Sequence, residues 1–251
     1  GKRIHTDQKT RQRLPARTRH PNTPRRTKLS DHAHSLHHLH QFETAEQQCE
    51  SATLGMWAFI VQEILFFGGL FGAYTVYRNT YIEAFTAGSH HLDIFWGSFN
   101  TVVLIASSLT MALAVRAAQT NSGPGAIIGW LVGTIILGCG FLGVKYIEYS
   151  HKWHENLVPS TMFQWNDPAF PEVSLGNAKI FFSFYFVMTG MHALHMVIGV
   201  GIMLWMIAKV RRGEIGSQYF TPIEISGLYW HFVDIVWIFL FPLLYLIGRH
   251  V

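Results

Sequence analysis

Five runs of predominantly apolar residues, each of roughly 20 or more, dominate this 251-residue chain. At about 1.5 Å of rise per residue, each is long enough to cross a hydrocarbon core of about 30 Å. They fall near 54–77, 94–118, 126–149, 179–208 and 226–248. Lipid cannot hydrogen-bond a bare N–H or C=O, so spans of this kind must be helices or a closed barrel. A barrel would show short alternating segments, and these runs do not alternate. The spacing predicts an all-α membrane protein of five transmembrane helices. With 49% hydrophobic and 14% charged residues, the chain is too apolar for a soluble domain of its size.

The charge is lopsided. Residues 1–28 hold ten of the nineteen basic residues against one acid, Asp7. We divide the chain into a basic, histidine-containing tail, 1–50, and a transmembrane domain, 51–251. Five spans put the termini on opposite sides. With the amino terminus inside, fourteen basic residues lie inside and five outside (Arg78, Lys145, Lys152, Lys179, Arg249). That bias predicts a cytoplasmic amino terminus and an outer carboxyl terminus. A basic tail joined to spans is expected to touch anionic headgroups, not nucleic acid. The tail has no apolar h-region, so no secretory signal peptide is expected. The loop 150–178, with Trp153, Trp165 and three prolines, suits an ordered cap at headgroup level. Cys49 and Cys139 have no CxxC partner, which leaves zinc, iron–sulfur and thiol-redox readings without support. The histidine run at 31–40 (DHAHSLHHLH) reads as a weakly basic tail, because nothing fixes a metal geometry there.

Ionisable residues inside spans are costly and mark sites. Glu63 is the sole acid of the first span. His231 and Asp234 sit three apart in the fifth, on one helical face. Counted from the span ends, Glu63 lies about 13 Å deep and Asp234 about 12 Å, so the two carboxyls are expected at similar depth. His192 and His195 sit one turn apart in the fourth span; by the same count His195 falls about 20 Å deep and His231 only about 8 Å. Those depths argue against a bis-histidine haem. Lys145 and Glu148 are spaced for a local ion pair. Two readings of Glu63, His231 and Asp234 stay open. One is structural, with a hydrogen-bonded His/Asp pair locking the fifth helix and Glu63 protonated. The other is a proton relay. Glycines on the first four spans suggest close helix packing.

Five strings carry a resemblance: FIVQEILFFGGLF (59–71), FNTVVLIASS (99–108), YIEY (146–149), YFVMTGMHALHMVIG (185–199) and YWHFVDIVWIFLF (229–241). In this order, over residues 54–248, they resemble subunit III of the haem–copper cytochrome c oxidases, in a short five-helix bacterial form. The resemblance implies a subunit III-like bundle in the cytoplasmic membrane, with no catalytic centre, haem or copper of its own. Those cofactors are expected in partner subunits, with subunit I as the main contact, then subunit II, and with a supercomplex as a further setting. It implies bound phospholipid and support of sustained proton uptake. The family's carbodiimide-reactive carboxylate falls on Glu63. Its paired histidines fall on His192 and His195, its terminal His and Asp on His231 and Asp234, and its outer-helix glutamate on Glu148. Larger members have two further helices at the start, which form one wall of the lipid cleft. The alternatives are a quinol oxidase or nitric oxide reductase accessory subunit, or a free-standing proton channel built on Glu63.

Overall fold

A computed structural model describes residues 1, 45–215 and 219–246. Apart from residue 1, these belong to one compact unit spanning 37–251. The histidine run, the basic stretch and Arg249 lie outside the described residues. Among the described residues there are six α-helices: α1 Ala45–Thr80, α2 Ile82–His90, α3 Ile94–Gln119, α4 Pro124–His154, α5 Leu175–Arg211 and α6 Thr221–Phe241. A π-helical turn, Pro242–Leu246, follows α6. Its first residue is a proline, which has no N–H to continue the α-helical ladder. Five helices are long and apolar enough to cross a membrane; α2 is the sixth, a short helix absent from the sequence reading.

The helices overrun the expected spans. α1 begins at Ala45, ahead of both the span start at 54 and the domain boundary drawn at 51. α5 covers Leu175–Arg211 where 179–208 is expected. Hydropathy marks the apolar slab, whereas capping decides where a helix stops. Ser174 Oγ accepts from Asn177 N at 3.3 Å to open α5, and Asp93 Oδ1 accepts from Phe95 N at 2.8 Å to open α3. Pro124 and Pro222 occupy the first turns of α4 and α6, where a missing N–H costs nothing.

α3 packs on α4 and α6, and α5 packs on the same two helices. Trp230 is the key of this arrangement. A Cβ added at Gly138 on α4 or at Gly199 on α5 would meet its indole ring at 2.8 Å. The indole Nε1 donates to Ser107 Oγ on α3 at 3.1 Å. One buried side chain of α6 therefore fits against three other helices. The other span glycines divide. An added Cβ meets nothing within 4 Å at Gly68, Gly69, Gly72, Gly140, Gly143 or Gly201. Close packing is required at Gly138 and Gly199, and against Phe241 at Gly97, not along the whole glycine series. A count of small residues cannot tell which face they occupy.

We call the side holding the start of α1 the near side and the opposite side the far side. The loop between α4 and α5 caps the far side. His91 Nε2 lies 3.0 Å from Asp167 Oδ2, the His91 ring packs edge-on to Trp165, and Lys179 donates to the Ser160 carbonyl at 2.8 Å. Just past α4, partial burial opposes the charge on Glu155, but the Lys152 ammonium donates to it at 2.7 Å. Lys152 and the neighbouring histidines hold its carboxyl below the usual carboxylate range.

Trp230→Ala is expected to destabilise the bundle by about 3–5 kcal/mol, and Gly199→Leu by about 1–3 kcal/mol through overpacking. Gly201→Ala is expected to be neutral. Thermal unfolding in detergent checks this, and an unchanged midpoint for Gly199→Leu would contradict the wedge.

Candidate functional site

α1 is the least covered span, with 17% of its apolar stretch buried. Three polar contacts hold it at three heights. Near its start, Cys49 Sγ lies 3.4 Å from Thr221 Oγ1 of α6. Fourteen residues on, about 21 Å by helix rise, Glu63 Oε2 lies 3.3 Å from His195 Nε2 of α5. Eleven residues further, Tyr74 donates to the Leu243 carbonyl at 3.0 Å. Phe67, one turn above Glu63, packs edge-on against both His195 and Phe232.

Glu63 and His195 are both buried. The direction of their contact falls short of hydrogen-bond geometry, and Glu63 Oε2 has no other partner among the described residues. The ring's other nitrogen sets the chemistry. His195 Nδ1 lies 2.8 Å from the Met191 carbonyl, which only accepts, so Nδ1 carries a proton. Nε2 then faces the Glu63 carboxyl oxygen at 3.3 Å as a polar contact between α1 and α5.

This contact corrects the depth reading of His195, which set it far above His231. The Tyr229 hydroxyl donates to the His195 carbonyl at 2.9 Å, and Trp230 lies against Gly199. Residues 195–199 are therefore level with 229–230. At 37 residues, α5 runs about 55 Å, well beyond a core of about 30 Å, so a count from its end overstates the height.

His192 is fully buried. Its Nε2 donates to the Val233 carbonyl of α6 at 3.2 Å, and its ring packs between Phe141 and Trp237. The expected His231–Asp234 hydrogen bond does not form. His231 Nδ1 instead pairs with Ser108 Oγ of α3 at 2.7 Å. Residues three apart share a helix face, but both side chains turn to the neighbouring helix rather than to each other. Both Asp234 carboxyl oxygens are buried without a hydrogen-bond partner among the described residues, beside the Ser107 and Ser108 hydroxyls.

Towards the far side, Lys145 is buried and donates to Glu148 Oε2 at 3.0 Å, so the expected i,i+3 ion pair is present. Sequence reasoning missed what surrounds it. Lys145 also donates to Tyr245 Oη at 2.8 Å, and Glu148 Oε1 accepts from Tyr185 at 2.7 Å and Tyr245 at 2.6 Å. Trp237 and the rings of both tyrosines face the ammonium. Tyr149 pairs with Thr189 alongside. A usable signal existed, because a phenol buried in a span needs a partner for its hydroxyl. Among the described residues, no group of three or more His, Cys, Asp or Glu is placed to hold a metal ion.

The fold is that of a multi-pass membrane protein whose buried polar side chains join helix to helix. Residues 38–249 match the family model described as cytochrome c oxidase subunit III, and the chain belongs to that family. It is 32% identical over 221 residues to quinol oxidase subunit 3 of Bacillus spizizenii, covering 84% of this chain and 97% of that one. It is 31% identical to cytochrome c oxidase subunit 3 of Thermostichus vulcanus, covering 82% and 92%. It is also 32% identical to part of the heme-copper oxidase subunit I+III of Aeropyrum pernix, covering 76% of this chain and 22% of that longer one.

Removing one member of a buried ion pair strands the other. Lys145→Met is expected to cost about 3–5 kcal/mol, and Lys145→Met with Glu148→Leu to recover much of that loss. Thermal unfolding of both variants in detergent decides, and a double variant no better than Lys145→Met would contradict it.

Proposed function

We propose that this chain is the accessory subunit III of a bacterial haem–copper terminal oxidase in aerobic respiration. The complex reduces oxygen to water and pumps protons. The chain carries no catalytic centre, and haem and copper belong to partner subunits. It contributes assembly, phospholipid binding and sustained proton uptake. Subunit I is its main contact, which the single-chain I+III relative of Aeropyrum pernix supports. The near side is cytoplasmic, on the fourteen-to-five division of basic residues.

The observation that carries the role is the Glu63–His195 contact. It is the mid-membrane polar contact of the span that the rest of the bundle covers least. Losing it frees α1 to shift and opens the lipid-facing side of the bundle. His192, His231, Asp234 and Glu148 act in helix packing or against lipid, and none is a redox or metal ligand. A quinol oxidase remains the second reading, favoured by the likeness to quinol oxidase subunit 3 of Bacillus spizizenii. Other subunits select the electron donor.

For Glu63→Ala, the expected result is an oxidase that assembles with a normal initial rate. It should retain less phospholipid and inactivate after several-fold fewer turnovers. Phosphorus analysis of the purified complex and oxygen consumption followed to exhaustion measure the two effects. Unchanged lipid content with an unchanged turnover number would contradict the role.

A further inference from the structure

Asp234 is 3% exposed, and neither of its carboxyl oxygens has a hydrogen-bond partner among the described residues. The two nearest hydroxyls are engaged. Ser107 gives its one proton to the Leu104 carbonyl and accepts from the Trp230 indole, while Ser108 pairs with His231. A buried polar group left without a partner costs about 1–3 kcal/mol. The side chain borders a groove of about 490 Å³ between α3 and α6, with both oxygens just beneath its surface. A second groove of about 390 Å³, reaching Thr53 and Glu224, shares His231 and Ala112 with the first. The rim is apolar and bare: Ile105, Leu109, Ile235 and Ile238 are each between 45% and 62% exposed.

Depth selects the occupant. Asp234 lies thirteen residues past Thr221 and twelve before Leu246, about 20 Å and 18 Å along the helix, near mid-membrane. A lipid headgroup sits about 15 Å away at the edge of the hydrocarbon core, and acyl chains offer no donor. A side chain on another transmembrane helix can reach this depth.

We propose that the α3–α6 groove seats a transmembrane helix of a partner oxidase subunit, which places a hydrogen-bond donor on the Asp234 carboxyl. The inference rests on the subunit III reading above. In the assembled complex the donor satisfies Asp234, and the four exposed aliphatic side chains are buried against the incoming helix. A polar group with an apolar rim gives both register and contact area to such a joint.

Site-specific photo-cross-linking tests it. p-Benzoylphenylalanine is placed at Ile235 in the groove and, as a control, at Val197 on α5, in membranes holding the full oxidase. The expected result is an Ile235 adduct to one span of a partner subunit. If the chain co-purifies with oxidase subunits but Ile235 labels only lipid, the groove holds lipid and the inference fails while the functional reading stands. If the chain co-purifies with no oxidase subunit, both fail. Asp234 variants give a second readout. Asp234→Leu is expected to leave the isolated chain at least as stable, yet lower its retention in the complex roughly tenfold, since a lost hydrogen bond to a charged or strongly polar group is worth about that. Asp234→Asn keeps an acceptor and should be retained. Equal retention of Asp234→Leu and the unaltered chain would overturn the proposal.

Discussion

No water is available inside a bilayer to satisfy a polar side chain, and the structure is arranged around that constraint. Each ionisable or hydrogen-bonding group placed in a span must find its partner on another helix or remain a liability. The Trp230 indole reaches Ser107, His192 reaches the Val233 carbonyl, Tyr229 reaches the His195 carbonyl and Tyr74 reaches the Leu243 carbonyl. These contacts join α1, α3 and α5 to the last span and the turn after it. They also set its height, because each one matches a donor and an acceptor at one level. Apolar packing alone would leave the helices free to slide, since lipid tails are as apolar as leucine.

Within that scheme α1 stands apart. Most of its surface faces outward, and polar contacts at three well-separated heights tie it to α5, α6 and the turn after α6. The Glu63–His195 pair differs from the carbonyl contacts in joining two ionisable side chains, one on α1 and one on α5. Near the far side the Lys145–Glu148 pair is instead surrounded by tyrosine hydroxyls and aromatic rings, which satisfy both charges. One site fixes the bundle and the other ties a loosely covered helix to it. That division fits an accessory subunit better than a redox centre. Asp234 and Asn100 depart from the pattern, each buried with no side-chain hydrogen-bond partner among the described residues; for Asp234 we propose a joint with another subunit.

Much of this was legible from residue order alone. Five apolar runs place five spans, and the five ordered motifs place the family. Glu63, His192, His195, His231 and Asp234 stand out because an ionisable group in an apolar span is conspicuous. Their partners were not legible. Depth counted from span ends separated Glu63 from His195, because α5 is longer than the membrane is thick. The i,i+3 spacing of His231 and Asp234 suggested a mutual bond, yet rotamers carry both towards α3. Tyr185 and Tyr245 went unnoticed, since a tyrosine in a span looks like one more aromatic until its hydroxyl is traced. The short helix α2 was missed because nine residues between two spans read as a loop.

A double-mutant cycle on Glu63 and His195 in the assembled oxidase tests the central claim most directly. Glu63→Ala, His195→Ala and the double variant are compared by the number of turnovers completed before inactivation. If the two side chains act as one contact holding α1, each single variant causes a similar fall and the double variant falls no further. Independent effects that simply add in the double variant would contradict the account.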